Sequence, residues 1–443
     1  MISILKKEVH ESFYGIDCIK KGVIYIHGKL PDLIKEYLEY KFKTVSEFSV
    51  VVANNVIIEG INLPIDTLFI LSTYKLHGKQ LTNLIGRVNR LNDVFRGNKN
   101  KLSMLLPKVH FVNNTDHNNS NDMFNKIILL RSRLFLDEIK NPLLAEFDIE
   151  KIKDSNENLQ NEKRNKIRQI QKNEEFLYSV PKDLESRLKQ YFIEYGVDTY
   201  YKDLDSLVKD VLLFFESKKS KSEEWKGLNL LNKMKDIFLK NDNNLKDYEL
   251  RRLQKDSTIN YYSYFIEISR KKPLNENINN LVAHFKEKAQ SSIDKERKFY
   301  FGTSYGEEAY SSDSYINPKY NTYVDVGKVE NDKRLVNLAI VKLKMEEEFV
   351  SFTLNKFIIF LYDFELITSE EYNLHIYGTN DKTKIKLTKF GLNINFIVRL
   401  EEDSQLENLV LDKNNNLTAN LEFQKYVNTL DDFHSFEINR FLN

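Results

Sequence analysis

Cys18 is the only cysteine in 443 residues. That excludes an internal disulfide and a cysteine-based zinc site, and it fits a reducing compartment. The eight histidines are scattered, and no pair has ligand spacing with an acidic partner, so no metal is expected. No apolar run approaches the ~18 to 20 residues of a membrane span. The opening "MISILKKEVHESFYGIDCIKKG" lacks the apolar core and small-residue cleavage site of a signal peptide. The chain therefore reads as cytoplasmic, with no membrane partner. An excess of one charge is missing too. The formal net charge is +1, so any nucleic-acid surface has to be a local patch. Finally, there is no phosphate-binding G-x-x-x-x-G-K-[ST] loop. Gly28-Lys29, Gly78-Lys79 and Gly327-Lys328 have no glycine five positions upstream and no Ser or Thr after the lysine.

What is present is an ordinary globular composition, 41% hydrophobic and 30% charged. The length allows about two or three domains. Residues 1 to about 140 read as α/β. "GVIYIHG" (22–28) is a short apolar strand ending in a turn, and "PDLIKEYLEYKFKTV" follows with Pro31 at a helix start. "FSVVVA" (48–53) and "TLFILS" (67–72) are continuous apolar runs, the pattern of strands buried on both faces of a parallel sheet. "KQLTNLIGRVNRLNDVF" predicts a helix and "KVHFVNN" a strand, which implies a right-handed βαβ sheet. Residues 141–298 read as a helical region and 299–443 as a further, mainly helical domain. Within the latter, 300–327 form an irregular connection or a small strand pair, and Gly391 caps one helix before the next begins.

The chemistry concentrates at "VVVANNVIIEGINLP" and "NLIGRVNR". Ligands of open α/β sheets bind beyond the carboxyl ends of the strands. Asn54 and Asn55 stand at such an end, ahead of a Gly60 corner, and amides there can hold phosphate oxygens without adding a counter-charge. Arg87 and Arg90 lie three apart at a helix start, with Gly86 allowing close approach of a backbone or a nucleotide. Two guanidiniums on a shared face suit a polyphosphate whose charge grows in the transition state.

These segments resemble the second RecA-like motor domain of a superfamily 2 DEAD/DEAH-type helicase, of the Ski-like branch. "GVIYIHGKLP" is similar to that branch's strand, His-rich turn and Leu-Pro. "ANNVIIEGINLP" matches the motif A-T-x-x-x-x-x-G-x-N-L-P at Ala53, Gly60, Asn62, Leu63 and Pro64. "NLIGRVNR" matches Q-x-x-G-R-x-G-R at Gly86, Arg87 and Arg90. Order and spacing agree over roughly residues 20 to 115. Asn54 departs from the usual threonine, Asn83 from glutamine and Asn89 from glycine. The helix-rich remainder is similar to helicase subunits of bacterial anti-phage systems such as Hachiman, which implies a defence effector protein as a further partner.

The resemblance implies a RecA-like α/β domain with a parallel sheet, followed by a mostly α-helical accessory region of winged-helix or ratchet type beside the strand. It implies ATP and Mg2+ bound mainly by a first motor domain, which carries the P-loop and the D-E-x-H motif. Asp137-Glu138, within a helical pattern after the arginine motif, does not supply the latter. The chain then looks like a C-terminal half, inactive alone as an ATPase, whose partners are the N-terminal RecA-like half and a DNA or RNA strand. Arg87 and Arg90 would be arginine fingers, with Glu59, Gly60 and Gly86 lining the nucleotide cleft. His27, Gly28, Lys29, Asn54 and Asn55 would face the nucleic acid.

Plainer readings stand beside each of these. Arg87 and Arg90 can be surface helix charges, Asn54 and Asn55 turn residues, and His27 a solvated turn histidine. The basic "KRNKIRQIQK" (163–172) has acidic neighbours and reads more simply as a solvated helix face than as a phosphate-binding stripe. A helicase-derived module that only binds nucleic acid or protein is the alternative to a motor fragment.

Overall fold

The computed structural model describes residues 1–54, 65–73, 78–88, 108–113, 123–131, 180–241, 243–302, 322–411 and 417–442, together with Leu63 and Leu106. They are mostly helical, with small sheets of two strands each. Contacts group the chain into two units that interleave along the sequence. The first takes Met1–Asp137, Leu274–Lys344 and Tyr426–Arg440, and the second takes Glu138–Pro273, Met345–Lys425 and Phe441–Asn443.

The first unit opens with two short helices, α1 (Ile2–Glu8) and α2 (Tyr14–Ile19). Gly22 then turns the chain at φ +72°, a left-handed conformation that favours glycine, and a Cβ there would stand 3.2 Å from the Glu47 carbonyl. Strand β1 (Val23–Ile26) follows, then α3 (Asp32–Thr44) and β2 (Val50–Ala53). The two strands pair in parallel, from Val23 opposite Val50 to Ile26 opposite Ala53. Ile34, Tyr37 and Leu38 are the buried residues of α3, at the three- and four-residue spacing of one helix face. Further along, β3 (Thr67–Ile70) pairs in parallel with β4 (Lys108–Phe111), with α4 (Gly78–Gly86) between them in the chain. Ile70, Leu81 and Leu84 form the buried centre of that second pair. Helix α5 (Met123–Arg131) comes next.

The expectation of apolar strands covered on both faces needs correcting. Burial alternates along β1, where Ile24 and Ile26 are inaccessible, while on β2 Val50 and Val52 remain 47% and 46% exposed. Phe69 of β3 is exposed as well. A four-residue apolar run carries no periodicity of its own, so it cannot distinguish one covered face from two. The strands also form two separate parallel pairs among the described residues, where the sequence implied one sheet.

Segments remote in sequence complete this unit. They are α6 (Leu274–Ala289), the antiparallel pair β5 (Lys298–Tyr300) and β6 (Tyr323–Asp325), α7 (Asp332–Glu348, as far as Lys344) and α8 (Asp432–Asn439). Helix α8 packs on α3. The Phe433 ring meets Tyr37 edge-on at 5.1 Å, and Phe436 lies 4.9 Å from Tyr40. Asp432 accepts from the Tyr37 hydroxyl and pairs with Lys41 at 2.7 Å. The buried ammonium of Lys344 reaches Asp32 at 2.7 Å.

The second unit is helical, apart from a small antiparallel pair, Leu409–Leu411 with Leu417–Ala419. Several of its helices start on side-chain caps: Asp183, Asp203, Asn229 and Asp247 each accept a backbone N–H of the first turn. Phe192, Phe238, Phe357 and Phe360 interlock in its core, with Phe238 edge-on to Phe357 at 4.9 Å. Trp225 is buried and donates its indole N–H to Asp236 at 3.0 Å. A π-helical turn, Phe349–Leu354, leads into the helix Asn355–Asp363. The helices Lys382–Lys389 and Ile394–Glu402 are separated at Gly391, whose φ is +98°. Among the described residues, no helix is long and apolar enough to cross a membrane.

Candidate nucleic-acid and nucleotide interface

Parallel pairing of β1 with β2 decides where the first candidate residues lie. Because Ile26 is opposite Ala53, the chain leaves both strands at one edge, through His27-Gly28-Lys29 and through Asn54. The turn after β1 is tight. The His27 carbonyl accepts the Leu30 N–H at 3.0 Å, and its ring Nδ1 accepts the Lys29 N–H at 3.3 Å. Pro31 then starts α3 at an N-terminus where Asp32 is held by Lys344 and Lys35.

His27 is itself buried, 8% exposed, with its ring 5.4 Å from that of Tyr25. Burial disfavours the imidazolium and pushes its pKa down to about 4, so the ring is neutral at pH 7. This histidine therefore shapes the turn by accepting a backbone hydrogen bond. Gly28 has an open surrounding: among the described residues a Cβ there would meet nothing within 4 Å, and its backbone is not left-handed. Asn54 is exposed at the end of β2.

The second set sits on the β3–β4 pair. Leu81 and Leu84 anchor α4, which ends at Gly86, and Arg87 and Val88 form the turn that follows. Arg87 is thus half-buried at a helix end, its N–H bonded to the Leu84 carbonyl at 3.1 Å, and does not begin a helix. Glycine at the close of a helix is a common stop signal. Gly86 is exposed, and a Cβ there also meets nothing within 4 Å among the described residues. Asn55, Glu59, Gly60 and Arg90 lie outside the described residues, as does the basic stretch 163–172. The structure brings together His27, Gly28, Lys29 and Asn54, and places Gly86 and Arg87 at the end of the helix between β3 and β4.

One cluster with the chemistry of a cation site was not read from the sequence. Among the described residues, the ligand atoms of Glu8, Asp431 and His434 all lie within 4.8 Å of one another. Internal bonds account for it. Asp431 caps α8 through the N–H groups of Phe433 and His434, and both its oxygens sit 2.9 Å from His434 Nδ1. Lys7 contributes its charge at 3.2 Å from Glu8 and 3.6 Å from Asp431. Burial acts to raise the Asp431 carboxyl, but the bonds from His434 and the charges of His434 and Lys7 hold it below the usual carboxylate range. A divalent ion would have to displace that ammonium. Only the Asp-x-x-His spacing of residues 431 to 434 was legible, since Glu8 is supplied from the other end of the chain.

No protein-family model, curated protein or solved structure matches the chain.

Proposed function

We propose that the first unit contains the second RecA-like motor domain of a superfamily 2 helicase or translocase, with the edge at His27-Gly28-Lys29 and Asn54 facing a DNA or RNA strand. The observation that carries this reading is the in-register parallel pair, which brings His27-Gly28-Lys29 and Asn54, the residues that follow the two strands, to one sheet edge. Lys29 supplies charge and Asn54 an uncharged amide, the combination used to position a phosphate backbone.

In this reading the chain does not turn over ATP alone, because the P-loop and the magnesium-binding acids come from a first motor domain. When bound, ATP supplies the γ-phosphoryl group, and the chain's own contribution is charge. Arg87, together with Arg90, neutralises the negative charge that grows on that group as it transfers. Arg87 stands half-exposed at a helix end. Partners are then the N-terminal motor half, a nucleic-acid strand and, by the looser resemblance, a defence effector protein.

The test is ATP turnover after the chain is combined with a P-loop and D-E-x-H motor half. Arg87→Ala and Arg90→Ala should each lower the rate by about 10³ to 10⁵ while leaving strand binding intact. Full turnover in both variants contradicts the finger role. The absence of a P-loop also favours a second reading, a module that binds strands without any motor. It predicts salt-sensitive binding of single strands on which ATP and the motor half have no effect.

A further inference from the structure

An open groove of about 560 Å³ lies over the exposed face of β1 and β2, in the size range of small-ligand sites. It is formed wholly within the first unit and stands on the sheet's face, apart from the carboxyl edge described above. Tyr25 and Val52 form its floor, with Tyr14 of α2 on one side; the two tyrosine rings meet edge-on at 6.0 Å. Helix α7 makes the other side with Lys333, Arg334 and Asn337, which fall on one helix face by their three- and four-residue spacing. Among the described residues, two cationic side chains line the groove and no carboxylate does. The nearest acid on α2, Asp17, accepts a hydrogen bond from Lys333 and lies 3.9 Å from Lys20.

An aromatic and aliphatic floor beside a cationic rim selects a flat ring that carries an anionic group. The amide of Asn337 adds a donor and an acceptor of the kind that reads a base edge. We infer that this groove binds one nucleotide, its base against Tyr14 and Tyr25 and its phosphate on Lys333 and Arg334. The nucleotide is either a free monophosphate or one residue of a single strand. This assignment stands on the groove alone and does not rest on the motor reading.

Cys18 also lines the groove and is the chain's single cysteine, so it reports occupancy without background. Adenosine monophosphate titrated into the full chain should slow alkylation of Cys18 and give a saturable calorimetric signal. Arg334→Ala should weaken that binding about tenfold or more, as should removing the phosphate by using adenosine. Val52→Trp fills the groove from a position already 46% exposed in the native fold, so it should abolish binding while leaving the circular dichroism and melting temperature unchanged. A dA12 strand then separates the two sources: a strand that occupies the groove competes with the monophosphate and is itself weakened by Val52→Trp, and a strand indifferent to both assigns the groove to the free nucleotide. Three results overturn the inference. They are no protection of Cys18, binding indifferent to Val52→Trp and Arg334→Ala, and inorganic phosphate binding as tightly as the monophosphate.

Discussion

His27 illustrates how a side chain can stand at a candidate interface and act through the backbone. Its ring is buried against Tyr25 and accepts the Lys29 N–H, and burial alone holds its pKa to about 4. The expected outcome in a histidine-resolved NMR titration is a midpoint near 4 for His27; a midpoint near 6.5 would mean an exposed ring. The sign for stability follows. Between about pH 6.5 and 4 the unfolded chain takes up a proton that the folded turn excludes, so stability present above pH 6.5 is lost as pH falls through that window. His375, buried and held to about 3 first by burial and then by Arg270, acts in the same direction. Gly28 is the contrasting residue. No described neighbour requires a missing Cβ there, so Gly28→Ala should change stability by no more than about 0.5 kcal/mol. If a strand's backbone approaches this turn closely, the same substitution should still weaken strand binding; unaltered binding would remove Gly28 from the interface.

At the scale of elements, α3 and α8 form one of the contacts that tie early residues of the sequence to late ones. Phe433 is buried edge-on to Tyr37, and Asp432 adds its bonds to the Tyr37 hydroxyl and Lys41. Phe433→Ala should therefore cost about 3 kcal/mol of the first unit's stability, seen as a lower urea midpoint; a change under about 1 kcal/mol would contradict the packing. This contact was not legible beforehand. Sequence patterns report which face of a helix is apolar, and nothing in them names a partner 395 residues away. Strands β1 to β4 were legible as short strand segments, and so was the break at Gly391, because local chemistry decides both. The exposure of Val50 and Val52 was not, since it depends on what the rest of the chain leaves uncovered. The π-turn at Phe349–Leu354 also left no signal in an uninterrupted helical pattern. Of the candidate site, the residues at strand ends could be placed because parallel strands emerge at one edge. The groove could not, because its two sides come from α2 and α7, more than 300 residues apart.

For the whole molecule, a formal charge of +1 means that long-range attraction cannot carry strand binding. Whatever affinity exists must come from a few placed cations and amides, which makes it sensitive to single substitutions. The most direct measurement is the affinity of the full chain for labelled dT20 and U20 across a range of salt concentrations. Binding should be measurable at low salt; Lys29→Ala should weaken it for both strands, with a salt slope smaller by roughly 0.7, and Asn54→Ala should weaken it with the slope unchanged. Binding that is absent at low salt, or that survives both substitutions undiminished, would contradict a nucleic-acid edge at the ends of β1 and β2.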